Sequence, residues 1–157
     1  MKLILIDGPS VLSTCFYGSA TPQYNAAKTE EERAVAATTL MQTKTGLFTN
    51  GIYAMTKILI NLIKKEQPTH MAIAWDVSRD TFRKRLFSGY KANRGEAPDE
   101  LKQQYCTMQK VLKEMGIAQF GLPNYEADDI LGTLSKMFDK FIPTYILTKD
   151  CDALQLV

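Results

Sequence analysis

The sequence predicts an α/β fold, a three-layer αβα sandwich around a mostly parallel sheet, and two patterns carry that expectation. Brief apolar runs, each followed at once by polar residues, read as buried strands: LILI (3–6), MAIAW (71–75) and YILT (145–148). Longer stretches with helical periodicity lie between them. Strands that alternate with helices imply a sheet covered on both faces. Hydrophobic content of 45% with 23% charged residues suits a globular core and argues against disorder. A chain of 157 residues reads as a single domain, 1–157, able to bury roughly 70% of its unfolded surface.

Taken in order, LILI is the first strand and ends at Asp7. The stretch SATPQYNAAKTEEERAVAATTL is a polar departure from its surroundings. Thr29 and Glu32 have capping-box spacing, so a short helix is expected inside a longer insertion that reads as a solvated surface segment. Ile52, Met55, Leu59, Leu62 and Ile63 recur at helical spacing before the second strand, MAIAW. Leu101, Tyr105, Met108, Leu112 and Met115 form another helical stripe that stops at Gly116. A short strand, IAQFGL (117–122), leads into a helix opened by NYEADDILGTL, and YILT follows.

Charge and cysteine usage narrow the setting. A net charge of +2 neither demands nor excludes a polyanionic partner, so any nucleic-acid signal must come from local clustering. Cys15, Cys106 and Cys151 are odd in number and far apart, which fits a reduced cytoplasmic protein better than a disulfide framework. LILI is too short for a signal-peptide core, and MTKILINLI is interrupted by Lys57 and Asn61. A soluble, unsecreted protein is expected.

In an open parallel sheet the ligand crevice lies beyond the carboxyl ends of the strands. Acids stand at those ends: Asp7 after LILI, Asp76 after MAIAW, and Asp150 with Asp152 after YILT. Glu126, Asp128 and Asp129 begin the helix after the short strand and belong to the same rim. Residues two apart on a helix point about 200° from each other, so Glu126 is placed at the entry turn and Asp128 and Asp129 in the first helical turn. Singly, each acid reads as a helix cap or dipole partner. Jointly, they repel unless protonated or neutralised by cations. All-oxygen ligands favour magnesium or manganese, and the lone His70 and the scattered cysteines offer no softer site. Such an ion activates water and stabilises a leaving oxygen, which points to phosphodiester hydrolysis.

A basic segment suggests the substrate. RDTFRKRLFSGYKANR carries Arg79, Arg83, Lys84, Arg85, Lys91 and Arg94 against one acid, Asp80, with Phe82, Phe87 and Tyr90 interleaved. Cations contact phosphates, and aromatic rings stack on unpaired bases for roughly 1–3 kcal/mol each. The plainer reading is a helix with a solvated basic face and buried aromatics. Its place just after Asp76 favours substrate binding.

DGPSVL, AWDVSRDTFRKRLFSGYKANR, PDELKQQ, NYEADDILGTL and LTKDCDALQLV together resemble the successive motifs of the 5′-3′ exonuclease domain at the amino end of bacterial DNA polymerase I. That domain belongs to the wider flap-endonuclease family and has a PIN-like fold. The resemblance covers nearly the whole chain except residues 20–45. It implies that Asp7, Asp76, Glu126, Asp128, Asp129, Asp150 and Asp152 occupy the family's acidic metal-site positions, with Asp7, Asp76, Asp128 and Asp150 as direct ligands. Arg83, Lys91 and Arg94 match basic positions beside the active site and are assigned to the scissile phosphate and strand, with Tyr90 or Phe82 stacking on a base. The implied substrates are DNA with a free 5′ end or 5′ flap and RNA paired with DNA; the implied ion is magnesium or manganese.

Two departures qualify the match. Lys149 stands in TKD where the family has a small residue, and it either competes with metal or touches phosphate. The resembled domain also continues past LQLV with further acids and a helical duplex-gripping region, so the chain reads as its C-terminally truncated first part. Full-length relatives add a polymerase domain. Three functions therefore stand open: a metal-dependent 5′ nuclease, a DNA-binding module with an incomplete metal site, or a PIN-like ribonuclease.

Overall fold

A computed structural model describes residues 1–93 and 95–156; Arg94, assigned above to the phosphate, lies outside the described residues. The elements run β1 (Leu3–Asp7), α1 (Gly8–Ser19), α2 (Pro22–Ala26), α3 (Glu30–Ala37), α4 (Asn50–Glu66), β2 (His70–Ala74), α5 (Phe82–Leu86), α6 (Asp99–Glu114), β3 (Ala118–Phe120), α7 (Ala127–Phe138) and β4 (Thr144–Leu147). A 3₁₀ turn, Cys151–Leu156, follows.

The four strands lie in the order β3-β2-β1-β4, and every pairing is parallel. Residues of β1 alternate between two cores, as the period of two along a strand requires. Ile4 and Ile6 join Ile73 and Trp75 on one face, under Phe16 of α1, Met55 and Leu59 of α4, and Met108 and Leu112 of α6. Leu3 and Leu5 join Ala72 and Ala74 on the other, under Ala127, Ile130 and Leu131 of α7. The sandwich has three layers, as the sequence predicts. After β1 the chain builds outward through β2 and β3, then returns to place β4 on the opposite side of β1. That reversal opens a crevice at the carboxyl ends of β1 and β4.

The predicted elements hold with shifts of a residue or so at their ends, except that the expected strand at 117–122 is confined to Ala118–Phe120. The stripe Ile52, Met55 and Leu59 is buried in α4, whereas Ile63 is exposed. α6 ends where Gly116 takes φ of +71°, a left-handed conformation that glycine adopts without Cβ strain. The two-helix segment after α1 corrects the expectation of a solvated insertion. Tyr24, Ala36, Ala37 and Leu40 are buried in the first core, and Tyr24 packs edge-on against Phe16 with ring centroids 5.5 Å apart. The capping box of Thr29 and Glu32 is present and starts α3.

One polar network crosses the apolar layer. Gln104 of α6, fully buried, accepts the N–H groups of Gly51 (2.8 Å) and Ile52 (3.1 Å) through Oε1 and donates to Asn50 Oδ1 through Nε2 (2.9 Å). It satisfies backbone donors that the first turn of α4 otherwise leaves unpaired. A side chain of α6 thereby caps α4 and fixes the helical layer.

Candidate active site

Asp7 is the last residue of β1 and the N-cap of α1, and it is buried. Its Oδ1 accepts the Ser10 N–H at 3.0 Å and its Oδ2 accepts the Thr148 hydroxyl at 2.8 Å. Gly8 follows because the Trp75 ring lies against the turn: a Cβ at position 8 would stand 2.6 Å from a ring carbon. Ser10 Oγ also accepts the Lys149 N–H at 3.0 Å, so the turn after β4 is pinned to the start of α1. The side chain of Lys149 is solvent-exposed.

Asp76 leaves β2 and accepts the Ala127 N–H at 2.7 Å, joining that strand end to the first residue of α7. Asp128 lies in the first turn of α7. Asp150 follows β4, donating its N–H to Thr148 Oγ1 and accepting the Asp152 N–H through Oδ1, both at 3.0 Å. These acids share one field. Burial raises the Asp7 carboxyl above its ordinary value, and the charges of Asp76 and Asp150 push in the same direction against the lowering bonds from Ser10 and Thr148. Burial, then the charges of Asp7 and Asp150, push Asp128 up to about 6. Asp152 lines a cavity of about 260 Å³ with Arg83, Asp128, Asp129, Thr133 and Lys136.

Glu126 and Asp129 face elsewhere. Glu126, the buried N-cap of α7, accepts the Tyr90 hydroxyl and the Lys91 ammonium through one carboxylate oxygen, each at 3.0 Å. Asp129 accepts both Nη atoms of Arg83, at 2.7 and 2.6 Å, and the Glu126 N–H at 3.0 Å. The Arg83 fork holds the Asp129 carboxyl below the usual carboxylate range, and the Asp129 bonds raise the guanidinium in turn. Burial works against the charge on Lys91, but its bond to Glu126 wins and the ammonium is raised.

The basic segment is a five-residue helix, α5, followed by turns. The buried aromatic face of the plainer reading is not there. Phe82 is half-buried, tilted against Tyr125 at 5.7 Å and overlain by Arg83 at 4.7 Å, while Phe87 is exposed. Lys84 is solvent-exposed, Arg85 donates to Asn124 Oδ1, and Arg79 pairs with Glu96 at 3.9 Å. Tyr90 and Lys91 sit beside α7, with Lys91 at φ of +53°.

Of the seven predicted acids, four therefore lie within electrostatic reach of one another: Asp7, Asp76, Asp128 and Asp150. Glu126 and Asp129 are paired with cations, and Asp152 sits on the cavity wall. Among the described residues, no three His, Cys, Asp or Glu side chains stand close enough to enclose an ion as they are placed. The donor set still suits a hard divalent cation. It offers carboxylate oxygens alone, and the charges of Asp7, Asp76, Asp128 and Asp150 oppose one another across the crevice. Sequence reasoning missed Thr148 and Ser10, which orient Asp7; their only signal was their place beside the acids at the ends of β1 and β4.

The chain is similar to known proteins over nearly its whole length. The chain is 38% identical over 156 residues to the DNA polymerase I of Mycobacterium leprae, covering 99% of this chain and 15% of that protein. It is 35% identical over 156 residues to the 5'-3' exonuclease of Bacillus subtilis, covering 99% of this chain and 48% of that one. The chain thus spans a small part of the polymerases and about half of the exonuclease. Its fold matches T5 5'-exonuclease with bound zinc (TM-score 0.66, 16% identity, all of this chain and 52% of that one). It also matches the T5 D15 flap endonuclease in a complex with DNA and metal ions (TM-score 0.59, 17% identity, 96% and 50% of the two chains). Residues 2–157 match the family profile described as the 5'-3' exonuclease, N-terminal resolvase-like domain, and the chain belongs to that family.

Proposed function

We propose that this chain forms the acidic core of a divalent-metal-dependent 5′ nuclease that hydrolyses phosphodiesters of DNA bearing a free 5′ end or 5′ flap, and of RNA paired with DNA. The observation that carries the reading is the convergence of Asp7, Asp76, Asp128 and Asp150 at the β1/β4 crevice, directly beside Arg83 and Lys91. Relatives described as a 5'-3' exonuclease and as DNA polymerase I support the activity, and neighbours solved with metal ions and DNA support the ion and the substrate.

Asp7, Asp76, Asp128 and Asp150 would hold the cation, with magnesium or manganese matched to oxygen donors. Bound there, it supplies Lewis-acid stabilisation of the reacting phosphate and lowers the pKa of water. Thr148 and the Ser10 N–H fix the Asp7 carboxylate so that it need not reorganise on binding. Arg83 and Lys91 offer positive charge to the strand, and Phe82 and Tyr90 offer ring faces to unpaired bases.

The test is a competition among end-labelled substrates in magnesium and in EDTA: a 5′-flap DNA, a nicked duplex and an unstructured RNA. Metal-dependent cutting of the flap ahead of the RNA is expected. Flap binding in EDTA with no turnover in magnesium would instead mark a DNA-binding module, and preferential cutting of free RNA would mark a ribonuclease.

A further inference from the structure

We propose that Asp129 and Glu126 are positioning residues that clamp the basic segment onto α7, and that they stand outside the metal-holding set. The inference rests on the nuclease reading for its purpose but on hydrogen-bond geometry for its substance. Asp129 spends both oxygens on the planar Arg83 fork and one of them again on the Glu126 N–H. A carboxylate has about four lone-pair sites, so three are already taken. Glu126 Oε2 accepts two donors, Tyr90 and Lys91, and lies 3.7 Å from Arg83. Successive residues of a helix point about 100° apart. Asp128 therefore turns into the acid crevice, while Asp129 turns to the Arg83 guanidinium.

The segment needs such a clamp because little else secures it. α5 contains no buried residue, and Leu86 and Phe87 are exposed. Its other described ties to the helix entry run through Asn124 and Tyr125: a Thr81–Asn124 bridge, the Phe82 N–H to the Asn124 carbonyl at 3.0 Å, the Arg85 bond and the Phe82 ring contact. The Arg83–Asp129 pair is bidentate, the geometry in which a charge-assisted bond is strongest. It sets the guanidinium on the wall of the cavity that also holds Asp128, leaving N–H groups beyond the fork to meet a phosphate.

Three variants of the full chain test the clamp: Asp129→Asn, which retains an oxygen acceptor for the Glu126 N–H but loses the charge, Asp129→Glu, which restores the charge, and Asp128→Asn. Each is followed by circular dichroism for folding, timed trypsin cleavage mapped by mass spectrometry, Mn²⁺ binding by electron paramagnetic resonance, and flap-DNA affinity in EDTA. Asp129→Asn is expected to be cut about tenfold faster at Arg83, Lys84, Arg85 and Lys91, the loss of one charge-assisted pair. It should bind flap DNA more weakly in EDTA, with Mn²⁺ affinity unchanged. Asp129→Glu should recover protection. Asp128→Asn should lose Mn²⁺ affinity while the segment stays protected. A loss of Mn²⁺ affinity in Asp129→Asn equal to that in Asp128→Asn, or unchanged trypsin cutting in folded Asp129→Asn, overturns the proposal. If the wild-type chain binds no Mn²⁺, the metal reading fails, and the protease pattern still decides the clamp.

Discussion

Asp128 and Asp129 are neighbours in sequence with opposite electrostatic fates. Asp129 gains a cation on folding, whereas Asp128 is moved among other carboxylates and rises from 3.8 to about 6. Between those two values the folded chain binds more protons at Asp128 than the unfolded chain does. The stability it contributes therefore falls as pH rises through that window and stays lost above about 6. Asp128→Asn should accordingly stabilise the metal-free protein at pH 7.5, by about 1 kcal/mol once solvent screening is allowed for, and the gain should shrink as pH falls toward 4. Calorimetry in EDTA across that range checks it; a lower unfolding temperature for the variant at pH 7.5 would contradict the crowding of charge at this site. Nothing in the letters DD separates these roles. Helical phase places the two side chains on different azimuths, but which azimuth meets Arg83 depends on a segment about 45 residues earlier in the chain.

At the scale of elements, the strands and long helices were legible because each satisfies a single local rule, period two or period 3.6. α2 and α3 were not recognised as core because their contribution comes from Tyr24, two alanines and Leu40 rather than a continuous apolar stripe. Tertiary contact with Phe16 gives those few residues their burial. The plainer reading of the basic segment, a helix with buried aromatics, fails at α5, a short helix with no buried residue. The cap of α4 by Gln104 was equally invisible, because its donor and acceptor lie more than fifty positions apart. Gln104→Leu should cost roughly 2–4 kcal/mol by leaving buried N–H groups of α4 without a partner. Urea unfolding measures it, and an unchanged midpoint would mean that water replaces the amide.

For the molecule as a whole, the ordering β3-β2-β1-β4 explains why residues from positions 7 to 150 meet. Parallel strands in register bring every strand-to-helix turn to one end of the sheet, and the change of direction at β1 opens space between those turns. The list of acids was readable from sequence for that reason. Their division into a crevice group and a clamp group required coordinates, since it depends on the packing of the basic segment against the start of α7. The same packing places the cations Arg83 and Lys91 beside acids at one edge of the fold.

The crevice acids are tested most directly by cleavage of an end-labelled 5′-flap DNA at increasing Mg²⁺ or Mn²⁺, with wild type, Asp7→Ala and Asp150→Ala compared after each is shown to be folded. Cutting near the flap junction that requires the ion and is abolished in both variants is the predicted result. Cutting that persists in EDTA, or that proceeds undiminished in either variant, would contradict a metal-holding site built from these carboxylates.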